Sequence, residues 1–368
     1  MKKNRMYFCY LSGELESKGI PSLEVIAILK SCDVKLGQIQ VYDQILLFKS
    51  DKIVNELILK RAAYVHECGE VIFSISDANL DLIEREIRQT DFDVILKKKS
   101  SYAVRIKKIR SYYKDILEAK LEREIGNLIK TRLTKSIKVN LKNPECRFLG
   151  IFTERNFIFG ISLGGEVRSK IRERAPHTRP FFHPCGLDPI LARAMINLSE
   201  INASKSLLDP FCGSGSILIE AALMGFKATG SDINIKLIKG AILNLRSILA
   251  PDFYIMRADA RNLPLQEINC VVTDPPYGRS TRIEVGRDNP FYKGDLISNT
   301  KFLEHLLSEF FRNTLDLMKK HSRCVMAVPS TFEMMPDLGA SYNFKIQHAF
   351  EYYMHSSLTR NIWVLEKR

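Results

Sequence analysis

Directly after the apolar run Cys270-Val271-Val272 the chain reads Thr273-Asp274-Pro275-Pro276-Tyr277-Gly278. The short run, two of its residues β-branched, predicts a buried strand. Two prolines, which have no backbone N–H, stop ladder and helix alike at its end. The Asp274 carboxylate and the Pro275 carbonyl then form two hydrogen-bond acceptors at a fixed separation. Such a pair suits the two hydrogens of an exocyclic NH2 group. Engaging them leaves the nitrogen lone pair available to attack a methyl donor. Tyr277 adds a flat face on which a base can stack. The plainer alternative is a proline-stiffened turn that does no chemistry.

A second constellation lies upstream, in Leu207-Leu208-Asp209-Pro210-Phe211-Cys212-Gly213-Ser214-Gly215-Ser216. Asp209 ends a strand, and two glycines allow a tight turn and close approach of a ligand to the backbone. The pattern is not GxGxxG. An acid beside the loop repels a pyrophosphate and instead suits an ammonium or a hydroxyl, as in a nucleoside with a cationic amino-acid tail. Asp232 ends the next strand, where an acid is placed to accept both ribose hydroxyls, although it could instead cap the helix beginning near Asn234. Asp259 follows a third strand and could accept from an adenine amino group, or simply occupy a turn. Together with Asp274 these acids predict four strand ends along one rim, the edge where open α/β sheets bind ligands.

The elements that must position them are legible in outline. Strands are expected at 205–209, 227–232, 253–259, 270–274 and 323–330, alternating with helices at 215–225, 234–249 and 300–320. That alternation predicts a parallel α/β sheet with right-handed crossovers. Residues 344–367 read as two further strands around a polar turn, an antiparallel pair at the end of the sheet. The first half is a different, α+β layer. Strands are expected at 6–12, 44–50, 71–76, 101–109, 137–141, 147–154 and 156–163, and helices at 21–32, 54–68 and 116–133. Residues 164–183, polar, basic and rich in Gly and Pro, read as a linker.

Composition narrows the partners. The chain of 368 residues carries a net charge of +13. Residues 96–180 hold 22 Lys and Arg against 8 Asp and Glu, so the whole excess sits in that segment. A polyanion-binding surface is expected there, with a merely solvated basic face as the alternative. The eight cysteines form no CxxC pair, which argues against zinc fingers and fits small core side chains in a reducing compartment. His177, His183 and His355 lack metal-ligand spacing, and no metal is expected. No apolar run approaches the ~18 residues of a membrane span. No signal peptide is expected at the N-terminus, and the cysteine usage fits a cytoplasmic protein.

Asp209 to Gly215 followed by Asp274 to Tyr277 resembles the two motifs of S-adenosylmethionine-dependent amino-methyltransferases, in their order. The stretches HPCGLDPILARAMINLS (183–199) and TDPPYGRST (273–281) narrow the resemblance to the archaeal tRNA guanosine-10 N2-methyltransferases and their eukaryotic relatives. The N-terminal half, with KVNLKNPECRFLGIF (138–152) its most telling stretch, resembles their ferredoxin-like plus THUMP pairing. The resemblance implies a ferredoxin-like domain over 1–69, a THUMP domain over 70–164, a linker over 165–182 and a Rossmann-like methyltransferase domain over 183–368. It implies S-adenosylmethionine as methyl donor, with Asp209, Gly213 and Gly215 at the methionine moiety and Asp232 at the ribose. Asp259 and Ala260 would address the adenine, His183, Pro184 and Leu187 would line the pocket, and Phe211 and Ile233 join the donor contacts. Asp274, Pro275 and Tyr277 would position the guanine amine. The implied partner is tRNA, bound through Lys97, Lys98, Lys107, Lys108, Arg110, Arg172, Arg174, Arg179 and Arg279. No membrane or obligate protein partner is implied, and a monomer is expected. An N2-guanine or N6-adenine methyltransferase acting on rRNA or another nucleic acid is the nearest alternative. An inactive RNA-binding module is the alternative from another class.

Overall fold

The computed structural model describes residues 5–13, 19–165, 167–184, 186–250, 253–276, 296–333, 335–355 and 358–368. It divides into two compact units that do not follow chain order. One comprises residues 1–15, 33–59 and 65–166, and the other 16–32, 60–64 and 167–368.

The first unit is built on an eight-stranded sheet. Its strands are β1 (Arg5–Leu11), β2 (Leu36–Tyr42), β3 (Ile45–Ser50), β4 (Val65–Ile75), β5 (Ser101–Lys108), β6 (Lys138–Val139), β7 (Cys146–Thr153) and β8 (Asn156–Gly165). They lie in the order β2-β3-β1-β4-β8-β7-β5-β6. Helices Leu80–Gln89 and Glu118–Arg132 pack an apolar stripe on it. Leu121, Ile125 and Ile129, spaced four apart, meet a cluster of Phe148, Phe152, Phe157 and Phe159.

One element departs from expectation. The periodicity of 54–68 predicts a single helix, but the helix is Asn55–Arg61, and β4 begins at Val65. The cause is tertiary. The buried Glu24 carboxylate accepts from the amides of Ala63 (2.9 and 3.0 Å) and Tyr64 (3.0 Å), capturing N–H groups that a continued helix would have used. β4 then runs through residues 69 and 70, where one domain was expected to give way to the next, without a break in the sheet.

The second unit carries a seven-stranded sheet. Its strands are β9 (Ser206–Asp209), β10 (Lys227–Asp232), β11 (Phe253–Arg257), β12 (Cys270–Thr273), β13 (Arg323–Pro329), β14 (Phe344–His355) and β15 (Leu358–Lys367). Their order is β11-β10-β9-β12-β13-β15-β14. The first five run parallel, and β15 and β14 close the sheet antiparallel, as the sequence predicts. Central β12 is buried at every residue, as a parallel strand covered on both faces must be. Residues 167–183, expected as linker, contain the helix Val167–Arg172 and a 3-10 turn at Pro176–Thr178 and belong to this unit. Helix Pro189–Leu198 starts cleanly because the Asp188 side chain accepts from Ile190 N and Leu191 N, with proline at its first position.

Helix Ile20–Ser31 also belongs to the second unit. Besides its two amide contacts, Glu24 accepts from Asn197 Nδ2 at 2.8 Å. Arg61 reaches Asn197 Oδ1 and Ser31 Oγ, and Arg193 donates to the carbonyls of Lys60 and Arg61. Buried charges are tolerable only when paired in this way. No helix among the described residues is long and apolar enough to cross a membrane.

Candidate active site

The parallel strands β9, β10, β11 and β12 end on one rim, and hydrogen bonds tie their tips together. Cys212 N donates to Ser231 O at 2.9 Å, which seats the loop after β9 against β10. Gly213 (φ 51°) and Gly215 (φ 87°) both occupy the left-handed region, so each turn requires glycine. Gly213 N then donates to Asp232 Oδ2 at 3.0 Å, and Asn234 N to Asp232 Oδ1 at 2.8 Å. Asp232 therefore braces the glycine loop. The helix cap is Asn234, which accepts from Lys236 N and Leu237 N.

Asp209 is 2 % exposed. Its Oδ1 accepts from Thr273 Oγ1 at 2.7 Å and from Phe211 N at 3.2 Å, joining the tips of β9 and β12. Burial pushes its carboxyl up to about 7, against the pull of those two hydrogen bonds. The neighbouring Asp274 and Asp232 carboxylates push it further the same way. Three of the four predicted acids thus share one electrostatic environment. Such a site favours a cation, because a positive group at Asp209 would relieve both desolvation and mutual repulsion.

Asp274 is half-buried and Pro275 buried at the tip of β12. Asp274 Oδ2 lies 3.0 Å from Arg360 Nη1. Tyr277 and Arg279 lie outside the described residues. Asp259 stands at the same rim, since Ala258 N donates to Asp232 O at 3.2 Å. Both of its oxygens accept from Arg261, the shortest contact being 2.6 Å, and that guanidinium holds the carboxyl below its ordinary range. An adenine amine would share those oxygens with Arg261. Ala260 and Leu187 are buried, whereas Ile233 is exposed. Phe211 packs on Phe310, with ring centroids 6.0 Å apart.

Phe181, just ahead of His183, is held by Asn244. Its buried carboxamide accepts from Phe181 N (2.8 Å) and donates to Phe181 O (3.0 Å) and to Ser214 O (3.0 Å) of the glycine loop. A Cβ on Gly240 would stand 2.2 Å from the Phe181 ring, so that glycine exists to seat the ring. Pro184 is exposed just beyond, and His183 O accepts from Gly186 N. Thr273, Asn244, Arg261 and Arg360 were not found by sequence reasoning. Asn244 left a signal, a polar residue among the apolar positions of its helix. Arg360 left none, because its place depends on how the terminal hairpin returns.

The basic candidates differ in what they touch. Lys97, Lys98 and Lys107 of the first unit and Arg172 of the second are exposed. Four other candidates are engaged by the fold. Lys108 Nζ donates to Ile116 O at 2.8 Å and pairs with Glu118. Arg110 pairs with the buried Asp43 at 2.6 Å. Arg174 makes a two-pronged bond to the fully buried Glu220, and Arg179 donates to Ser216 Oγ at 2.7 Å. Asp43 and Glu220 lie outside 96–180, so a count of charges by segment could not anticipate these pairings. Among the described residues no group of three or more His, Cys, Asp or Glu side chains is arranged to hold a metal ion.

The family model described as RMKL-like, methyltransferase domain matches residues 176–362, and a THUMP domain model matches 77–159. The chain is 32 % identical over 353 residues to the tRNA (guanine(10)-N2)-dimethyltransferase of Methanothermobacter thermautotrophicus, covering 96 % of this chain and 97 % of that one. The crystal structure of TrmN from Thermus thermophilus superposes with a TM-score of 0.54 at 20 % identity, over 99 % of this chain and 100 % of that one. That of SMU.472 complexed with SAH gives 0.52 at 16 % identity, over 100 % and 99 %. These two likenesses establish the shared fold.

Proposed function

We propose that this chain, which belongs to the archaeal tRNA guanosine-10 N2-methyltransferase family and joins a THUMP domain to an RMKL-like methyltransferase domain, transfers methyl groups from S-adenosylmethionine to the exocyclic N2 of guanosine 10 in tRNA. N2-methylguanosine and then N2,N2-dimethylguanosine are the products. The observation that carries this reading is the bond from Thr273 to Asp209, which fastens the amine-acceptor pair Asp274-Pro275 to a buried carboxylate suited to a cation.

The residues present fit the donor. Asp209 would take the amino-acid ammonium, the glycine loop would lie along the methionine backbone, and Asp232 would accept the ribose hydroxyls. Bound there, the donor supplies an electrophilic methyl on a sulfonium, already activated, so the protein's task is placement. Asp274 and the Pro275 carbonyl hold the amine hydrogens. The nitrogen lone pair forms the new N–C bond, the electron pair of the broken S–C bond stays on sulfur, and a proton leaves nitrogen for Asp274 and then solvent. The target base must leave its stack to reach this rim. The exposed Lys97, Lys98, Lys107 and Arg172 supply phosphate contacts, which give affinity without sequence information.

The test is incubation with labelled S-adenosylmethionine and unmodified tRNA, followed by nucleoside mass analysis and mapping. Label at N2 of guanosine 10 is expected. Asp274→Ala should abolish transfer while tRNA binding stays near wild type. Label on adenine, or on rRNA alone, would overturn the reading.

A further inference from the structure

Asp274 Oδ2 lies 3.0 Å from Arg360 Nη1, with the two side chains 14 % and 8 % exposed. Topology makes this meeting possible. β13 runs parallel to β12, with Thr273 opposite Met326. β15 runs antiparallel to β13, with Arg360 opposite Pro329. That reversal brings the beginning of β15 to the rim where the parallel strands end, and Ser330 N, donating to Thr359 O at 3.0 Å, fixes it there.

We propose that Arg360 is a positioning residue for the methyl transfer, its guanidinium holding the Asp274 carboxylate ionised and aimed at the amine of the incoming guanosine. The inference rests on the reading of Asp274 as the amine's acceptor. Among the described residues, charged groups of opposite sign face Asp274 from neighbouring elements. Arg360 on β15 is ion-paired with it, and Asp209 on β9 repels it across Thr273. Asp232 on β10 adds negative charge at Asp209. Crowded carboxylates avoid sharing charge by taking up a proton. A protonated Asp274 would present an O–H to the amine and lose part of its capacity as an acceptor. A guanidinium, charged at every working pH, prevents this and fixes the carboxylate rotamer. The same pairing makes Asp274 a weak base, so proton loss follows methyl transfer rather than preceding it.

The test uses the full chain, labelled S-adenosylmethionine and tRNA. Arg360→Met should lower kcat about 100-fold, with KM for the donor and Kd for tRNA changed less than about threefold. The acid limb of its kcat–pH profile should move up by about one unit or more, because Asp274 has lost its cation. Arg360→Lys, which keeps the charge but not the fork, should restore the wild-type limb and only part of the rate. In an Asp274→Asn background, adding Arg360→Met should cost less than about threefold, since the two act as one unit. Should Arg360→Met not fold, Arg360→Gln carries the pH measurement. An unmoved acid limb, or a full additional loss in the double variant, overturns the inference while the proposed function stands. Wild-type protein that places no label on tRNA guanosine overturns both.

Discussion

Asp209 offers the sharpest test of what the rim binds. Its carboxyl rises from an ordinary 3.8 to about 7 because burial, joined by two neighbouring acids, outweighs the pull of its two hydrogen bonds. The folded, donor-free site therefore prefers the protonated form. Stability associated with that preference is full below pH 3.8 and is lost as pH rises towards 7. About three pH units at ~1.4 kcal/mol each make the loss ~4 kcal/mol by pH 8. Asp209→Asn removes the titration while keeping an oxygen to accept from Thr273 and Phe211. The difference in unfolding free energy between variant and wild type should shift in favour of the variant by ~2–3 kcal/mol between pH 5 and pH 8. In melting experiments on a domain of this size that corresponds to a change of roughly 5–10 °C. The donor's ammonium would neutralise Asp209, so the stabilisation that S-adenosylhomocysteine gives the wild type should grow over the same pH range. In Asp209→Asn it should be small and flat. Equal differences at pH 5 and pH 8, or undiminished ligand stabilisation in the variant, would refute the reasoning.

Three further outcomes follow from the same bonds. Thr273→Val removes the hydroxyl that joins β9 to β12 and should weaken donor binding about tenfold by calorimetry, the worth of one buried hydrogen bond to a charged group. Asn244→Ala leaves Phe181 and Ser214 backbone groups unpaired, and should lower stability by ~2–3 kcal/mol in urea unfolding together with donor affinity. Glu24→Ala strands the amides of Ala63 and Tyr64 in the core of the second unit and leaves the Asn197 carboxamide only its bonds to Arg61. It should destabilise that unit by ~3–5 kcal/mol, and Glu24→Gln by less, read from the same unfolding curves.

The placement of the rim acids was legible because each stands directly after an apolar run that has to be a strand, and alternating strands and helices bring such ends together. Asp209, Asp232 and Asp274 lie on one rim for that reason. What escaped was every interaction whose partner is remote in sequence. The strand at Val65 was hidden inside a helical pattern because its decision lies with Glu24, on another helix. The internal roles of Arg110 and Arg174 were hidden because their acids, Asp43 and Glu220, sit outside the basic segment. In each case local propensity was read correctly and then overridden by a buried charge seeking a partner.

That pattern bears on how the site works. The rim gathers carboxylates that would repel one another, and two different cations answer them. Arg360 is built in and pairs with Asp274, which in the proposed transfer accepts an amine hydrogen as a carboxylate. Asp209, the acid with the raised carboxyl, is neutralised by no permanent ion pair among its principal influences, which are burial, two hydrogen bonds and two acids. Its charge is best balanced by a positive group that arrives and leaves. In the proposed reaction a sulfonium donor with an ammonium tail would bring positive charge to bind and give up its sulfonium charge on transfer, so the electrostatics that favour the donor would release the product more readily. A rim with a permanent cation at both acids would forfeit that difference.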